Sequence, residues 1–413
     1  MTTADEDAAP ETAPEPELPR LGLREPLRPV VDTEDALARA CAEIALGDGP
    51  IALDAERASG YRYSQRAYLI QVRRHGAGTW LIDPTAFDDL HELGEAFGDA
   101  EWILHAATQD LPCLAEVGLR PASLFDTELA GRLLNLPRVG LAALVEHYLH
   151  MSLAKEFSAA DWSTRPLPEP WLEYAALDVE VLAELREAVI ADLEAAGKTA
   201  WARQDFDALL SFTGPPERTD PWRRTSGIHR LRSRRALAIV RALWQARDAI
   251  AQDRDTTPGR ILPDAAIVAM AQNPPQSAAA LRNEPTMRRR GPRRFLDEWF
   301  AAVESALALP DEDLPASGRP ADGPPPPRAW ADKDPAAAAR LARVRTAVTA
   351  LADQQDLPTE NLIAPALLRA LAWQPPEPSD AAHVAEALRT AGARPWQLDL
   401  VVEPVTSALA ADD

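Results

Sequence analysis

The chain has 413 residues, with 43 lysines and arginines against 64 aspartates and glutamates, and a net charge of −21. That length calls for about two to four domains, and 46% hydrophobic with 26% charged residues is a globular balance that excludes wholesale disorder. No run reaches the roughly 18 apolar residues of a membrane span. The acidic, proline-spaced start fits neither a signal nor a transit peptide, and Cys41 and Cys113 show no metal-ligand spacing, so a reducing cytoplasm is the expected compartment.

Residues 1–29 are rich in Ala, Glu and Pro without apolar periodicity and read as a disordered acidic tail. From Pro50, short apolar runs alternate with helical stretches. Residues 51–54 (Ile-Ala-Leu-Asp), 67–72 (Ala-Tyr-Leu-Ile-Gln-Val) and 79–83 (Thr-Trp-Leu-Ile-Asp) read as strands, 91–97 as a helix, and 102–105 (Trp-Ile-Leu-His) as a fourth strand. From Leu111 to about Ala196 the pattern is mostly helical, most clearly over 141–149 and 171–193. This order predicts an α/β domain over 30–214.

Two all-α modules are expected after it. Residues 234–251 carry apolar residues at helical spacing, Thr257-Pro-Gly-Arg-Ile261 breaks that helix, and Asp264 can cap the next, over 264–271. The outline recurs as 339–352, a break at Asp356-Leu-Pro, and 364–372. These patterns place one helical domain at 222–308 and a second at 331–409. Between them, 309–330 contains Pro324 to Pro327 and reads as a proline-rich extended linker.

Candidate chemistry lies in carboxylates. Asp54 and Glu56 stand two apart at a strand end, so they share a face about 6.6 Å apart along the axis, close enough to serve neighbouring cations. In isolation such a pair is a solvated strand end. Asp110 follows His105-Ala-Ala-Thr-Gln just beyond the fourth strand, where ligands of open α/β sheets collect, although taken alone it reads as a cap of the next helix. Tyr174 and Asp178 are spaced i,i+4, on one helix face; alone they read as a half-buried tyrosine beside a solvated acid.

Taken together and in order, Asp54-Ala-Glu56, Leu69-Ile-Gln71, His105 to Asp110, Phe125-Asp-Thr-Glu-Leu-Ala-Gly131, Asp161-Trp-Ser-Thr-Arg-Pro166 and Tyr174-x-x-x-Asp178 resemble the motifs of ribonuclease D. That family comprises DEDD-type 3′→5′ exonucleases with a tyrosine in the third motif. The resemblance spans about 30–214, and the two helical units resemble the HRDC modules of the same family. It implies a ribonuclease H-like mixed sheet flanked by helices, followed by the two HRDC-like modules. It further implies metal ligation by Asp54, Glu56, Asp110 and Asp178, and a role for Tyr174 in orienting water.

The donors are all carboxylate oxygens, so two divalent cations, Mg²⁺ or Mn²⁺, are the expected cofactors and zinc is not. The implied reaction releases nucleoside 5′-monophosphates from RNA 3′ ends, with transfer RNA precursors and other structured RNAs as expected partners. A DNA exonuclease of the same superfamily and a non-catalytic nucleic-acid scaffold are the alternatives. A monomer is favoured. With no G-x-x-x-x-G-K-[ST] loop, no nucleotide cofactor is expected.

Acidity as a whole disfavours nucleic acid, but it is unevenly distributed. Residues 222–294 hold 16 basic and 5 acidic side chains, a net +11, and every basic one is arginine. Arg223, Arg224, Arg230, Arg232, Arg234 and Arg235 open the first module, while Arg288, Arg289, Arg290, Arg293 and Arg294 close it. Their planar forks suit phosphate, so this block is the candidate RNA-binding face. A solvated helix face in an arginine-rich chain is the plainer reading. His147 and His150, i,i+3 without a carboxylate partner, read as ordinary surface residues, and His105 as a hydrogen-bonded core residue.

Overall fold

A computed structural model describes residues 18–154, 156–318 and 323–411. Residues 1–17 of the expected tail and 319–322 of the expected linker lie outside them. The first domain opens with α1 (Glu34–Leu46), then β1 (Asp48–Arg57), β2 (Ala67–His75), β3 (Gly78–Ile82), α2 (His91–Phe97), β4 (Trp102–Leu104), α3 (Leu111–Glu116) and β5 (Leu124–Asp126). Helices α4 (Thr127–Leu133), α5 (Leu141–Leu149), α6 (Glu169–Glu180), α7 (Leu182–Ala195) and α8 (Thr199–Leu209) complete it. The sheet runs β3-β2-β1-β4-β5. β1 pairs antiparallel with β2 and parallel with β4, so the sheet is mixed, as expected of the ribonuclease H-like class.

Local chemistry accounts for these elements. In β1, Ile51, Ala52 and Leu53 are buried in succession, the pattern of a central strand covered on both faces. Helix α6 crosses β1, β2 and β3, and α7 crosses β1 and β4. Thr33 caps α1 by accepting from the Ala36 amide, with Glu34 and Asp35 in the first turn where the helix dipole favours acids.

Three readings of this domain need correction. Residues 18–29 are packed rather than disordered: Leu21 is buried, its amide bonds the Ser152 carbonyl, and Arg24 pairs with Glu184 and approaches the buried Glu180. β5 is a strand within the stretch read as helical, because three residues are too few to show a period. The helix read over 171–193 is two helices that break at Val181.

The first module comprises α9 (Arg234–Asp253), α10 (Pro258–Ile261), α11 (Asp264–Gln272), α12 (Ala278–Asn283), α13 (Arg290–Arg293) and α14 (Leu296–Ala308). The second comprises α15 (Trp330–Lys333), α16 (Pro335–Gln354), α17 (Thr359–Leu362), α18 (Pro365–Trp373), α19 (Ala381–Thr390) and α20 (Pro395–Ala410). The Thr257–Ile261 break is thus a helical turn, α10. Asp264 does not cap α11; its carboxylate takes the Arg247 guanidinium at 2.6 Å and the Ser226 amide at 2.7 Å. The start of the expected linker is anchored, since Leu314 is buried and Arg234 bonds the carbonyls of Leu314 and Pro315. Among the described residues, no helix is long and apolar enough to cross a membrane.

Candidate active site

Carboxylates gather where the central strands end. Asp54 and Glu56 project from the C-terminal part of β1, and α6 brings Asp178 to them. One carboxylate oxygen from each of Asp54, Glu56 and Asp178 lies within 4.8 Å of the others. Asp110, at the head of α3, lines the same cleft of about 410 Å³ but stands outside that tight group. The expected set of four is therefore a close trio plus a fourth acid.

Taking these acids out of water is costly unless something compensates. Burial pushes Asp54 up to about 6. It pushes Glu56 up to about 10, with the charges of Asp54, Asp178 and Asp110 adding to the shift. Asp110 and Asp178 are raised well above the carboxylate range by burial and then by Asp54. A group of oxygen donors that resists ionisation without a counter-charge fits a hard divalent cation.

Tyr174 lines the cleft one helical turn before Asp178. Burial and the Asp178 charge raise its phenol, so it stays protonated at neutral pH. Its ring is held edge-on to Phe157, at 6.0 Å between centroids, and 6.5 Å from the fully buried Trp162. Behind it, Arg165 grips both Asp83 oxygens at 2.5 and 2.7 Å and donates to the carbonyls of Tyr68 and Trp162. The Asp161–Pro166 motif is therefore scaffolding for the tyrosine.

Asp126 plays a similar part for Asp110. From the end of β5 its carboxylate caps α4 through the amides of Glu128 and Leu129 and accepts from Ala106 and Ala107, anchoring the loop that carries Asp110. Ala106 is left-handed at φ 61°, a conformation that these bonds hold against its steric cost. His105 bonds Thr127 at 2.9 Å, and burial lowers it to about 4, so it is neutral. His147 and His150 join no cluster of three possible ligands among the described residues.

Arg57, Gln109 and the loop residues Ser59 and Gly60 also line the cleft. Sequence reasoning passed over them, although Arg57 directly follows the first acidic pair and Gln109 precedes Asp110. Both helical modules touch the first domain. Asp255, left-handed just past α9, accepts the amides of Tyr63 (3.2 Å) and Ser64 (2.8 Å) and the Tyr68 hydroxyl (3.2 Å). Arg260 lies 4.1 Å over the Tyr61 ring. In the second module Asp356 accepts from Asn135 at 2.7 Å, Lys198 bonds its carbonyl, and Trp396 stacks on Trp201 at 4.8 Å.

The arginines divide into two groups. Arg223 pairs with Asp220, Arg234 holds the carbonyls of Leu314 and Pro315, and Arg235 binds the carbonyls of Ala306, Leu307 and Leu309 and the Asp311 carboxylate, so these three staple the first module together. Arg224, Arg230 and Arg232 are exposed, as are Arg288, Arg289, Arg290, Arg293 and Arg294. Gly291 sits so close to the Arg260 carbonyl that a Cβ there would lie 2.4 Å from it. That contact fixes the 288–294 run beside α10, the element that docks on the β1–β2 loop.

Residues 29–194, which carry the mixed sheet and the acids at its central strand ends, match the family model described as 3′–5′ exonuclease. An HRDC domain model matches 236–303, and one described as the 3′ to 5′ exonuclease C-terminal domain matches 323–409. The chain is 32% identical to ribonuclease D of Zymomonas mobilis over 70% of its own length and 75% of the relative's. It is likewise 32% identical to ribonuclease D of Escherichia coli, over 69% and 76%. The crystal structure of Escherichia coli RNase D, an exoribonuclease involved in structured RNA processing, aligns at a TM-score of 0.66 and 25% identity, covering 92% of this chain and 98% of that one. A protein from Bifidobacterium adolescentis aligns at 0.89 and 41%, covering 96% and 100%. The chain belongs to the ribonuclease D family and is by that membership a 3′–5′ exoribonuclease.

Proposed function

We propose that the chain trims structured RNA precursors, transfer RNA among them, from their 3′ ends in the cytoplasm, acting as a monomer and releasing nucleoside 5′-monophosphates. The observation that carries the chemistry is the close trio of half-buried Asp54 and buried Glu56 and Asp178 within 4.8 Å, sharing its cleft with Asp110 and Tyr174. Two divalent cations, Mg²⁺ or Mn²⁺, bound by these four acids would supply the positive charge and Lewis acidity that phosphodiester hydrolysis needs.

The chain's own groups have distinct tasks. The acids converge on the point where the terminal phosphodiester must sit. Tyr174, kept protonated, orients the attacking water by hydrogen bonding rather than taking its proton as a free base. Water oxygen bonds to phosphorus, the bond from phosphorus to the O3′ of the penultimate nucleotide breaks, and that O3′ takes a proton. The exposed arginines of 224–232 and 288–294 form the face along which the RNA backbone runs toward the cleft.

The test compares matched RNA and DNA oligonucleotides with Mg²⁺, on wild type and Asp54→Asn. Degradation of RNA from its 3′ end, abolished in a folded Asp54→Asn, is the expected result. Preferential degradation of DNA moves the assignment to a DNA exonuclease. Full Mn²⁺-dependent activity in Asp54→Asn refutes the role of the acids.

A further inference from the structure

Arg57 is the last residue of β1, one past Glu56. Strict alternation would turn its side chain to the face opposite Glu56. The ladder breaks register at this point: Glu56 faces Leu69 but Arg57 faces Ala67, passing over Tyr68. Bulges of this kind re-aim side chains, and Arg57 lines the same cleft as Asp54 and Glu56.

Its charge is felt by three acids, since Arg57 opposes the upward shifts of Asp54, Glu56 and Asp110. Yet among the described residues its guanidinium forms no ion pair, and its one side-chain hydrogen bond is a long 3.5 Å contact with the side-chain amide oxygen of Gln109. Among the described lining residues it is the only lysine or arginine, and His105 there is neutral. A planar fork of donors, half-buried at a cluster of acids and bonded to none of them, is matched to an anion supplied from outside.

On the exoribonuclease reading above, we infer that Arg57 is a catalytic residue that grips a non-bridging oxygen of the terminal RNA phosphate, beside the acids. It draws a polyanion into an otherwise acidic cleft and stabilises the charge that grows on the phosphoryl oxygens in the transition state. Gln109, adjacent to Asp110, steadies the guanidinium from one side and leaves the remaining donors for the phosphate.

The probe is adenosine 5′-monophosphate, which carries the phosphate that hydrolysis releases, with adenosine as its control. Both are titrated calorimetrically into the full chain in Ca²⁺. Wild type is expected to prefer the monophosphate. Arg57→Ala should lower that affinity about tenfold while leaving adenosine and Ca²⁺ binding in place, and should lower kcat/KM on RNA about a hundredfold. Arg57→Lys, a point charge without the fork, should restore part of both.

A wild type that degrades RNA, with Arg57→Ala binding the monophosphate equally well, overturns the role of Arg57 alone. So does a loss of monophosphate affinity matched by an equal loss of Ca²⁺ affinity, because the arginine would then be a counter-charge for the acids. A wild type that neither degrades RNA nor binds the monophosphate overturns both this inference and the exoribonuclease reading.

Discussion

In both C-terminal modules, helices of 20, 4 and 9 residues follow one another in the same order. In both, a left-handed aspartate just past the long helix, Asp255 or Asp356, reaches back to the exonuclease domain. What the two aspartates hold is different. Asp255 grips the β1–β2 loop, which continues from Arg57 and supplies Ser59 and Gly60 to the cleft. Asp356 grips Asn135, just past α4 and outside the cleft lining.

The apolar contacts separate the modules further. The second module shares one continuous core with the α/β domain, Val344 and Trp396 lying in the same cluster as Ile51 and Leu104. The first keeps its own core, into which the exonuclease domain sends Tyr63. One helical plan thus serves as a buttress in the second module and as a holder of the cleft's rim in the basic first one. The difference lies in what each module presents to the exonuclease domain, a shared apolar core in the second and mainly polar contacts to the β1–β2 loop in the first.

The largest effect should come from the buttress. Trp396→Ala removes a stacked, buried ring and should cost about 3–5 kcal/mol in chemical denaturation of the full chain. A loss below about 1 kcal/mol would mean that the shared core is not what attaches the second module.

Next comes the rim. Asp255→Ala and Asp356→Ala carry the same backbone penalty at positive φ, so differences between them report the side chains. Asp255→Ala should lower kcat/KM on RNA about tenfold, the equivalent of about 1.4 kcal/mol. Asp356→Ala should leave turnover near wild type and cost about 1 kcal/mol of stability. Equal effects on turnover would erase the distinction between the modules.

The smallest effect is electrostatic. Replacing Arg288, Arg289 and Arg290 with glutamine should weaken RNA binding and reduce the slope of log affinity against log salt by about 2, as for three lost phosphate contacts on a single strand. An unchanged slope would remove the run from the RNA path and leave the first module with its rim contact alone.

Much of the site was legible in the residues. Strand and helix periods place Asp54 with Glu56 and Tyr174 with Asp178 on common faces, and the order of their motifs, which resembles that of ribonuclease D, singles them out. The long helices of both modules follow from apolar spacing, and Ser233 and Asp334 mark two of their starts by capping amides three residues on. Local chemistry of this kind is written in neighbouring residues.

Long-range partners are not. Nothing near Arg24 in sequence foretells Glu180 and Glu184, so residues 18–29 read as a tail. Arg223, Arg234 and Arg235 look as available for phosphate as Arg288 does, until the chain folds carbonyls of 306–316 against them. Composition and periodicity determined that this is an α/β domain followed by two helical modules, the first of them basic, and the order of the motifs carried the resemblance that marks the acids as metal-suited, since those properties reside in residue types and their spacing. Only the tertiary structure separated Asp110 from the close trio, turned Arg57 into the cleft and chose which arginines remain free, because each depends on which distant segment arrives to satisfy a buried polar group.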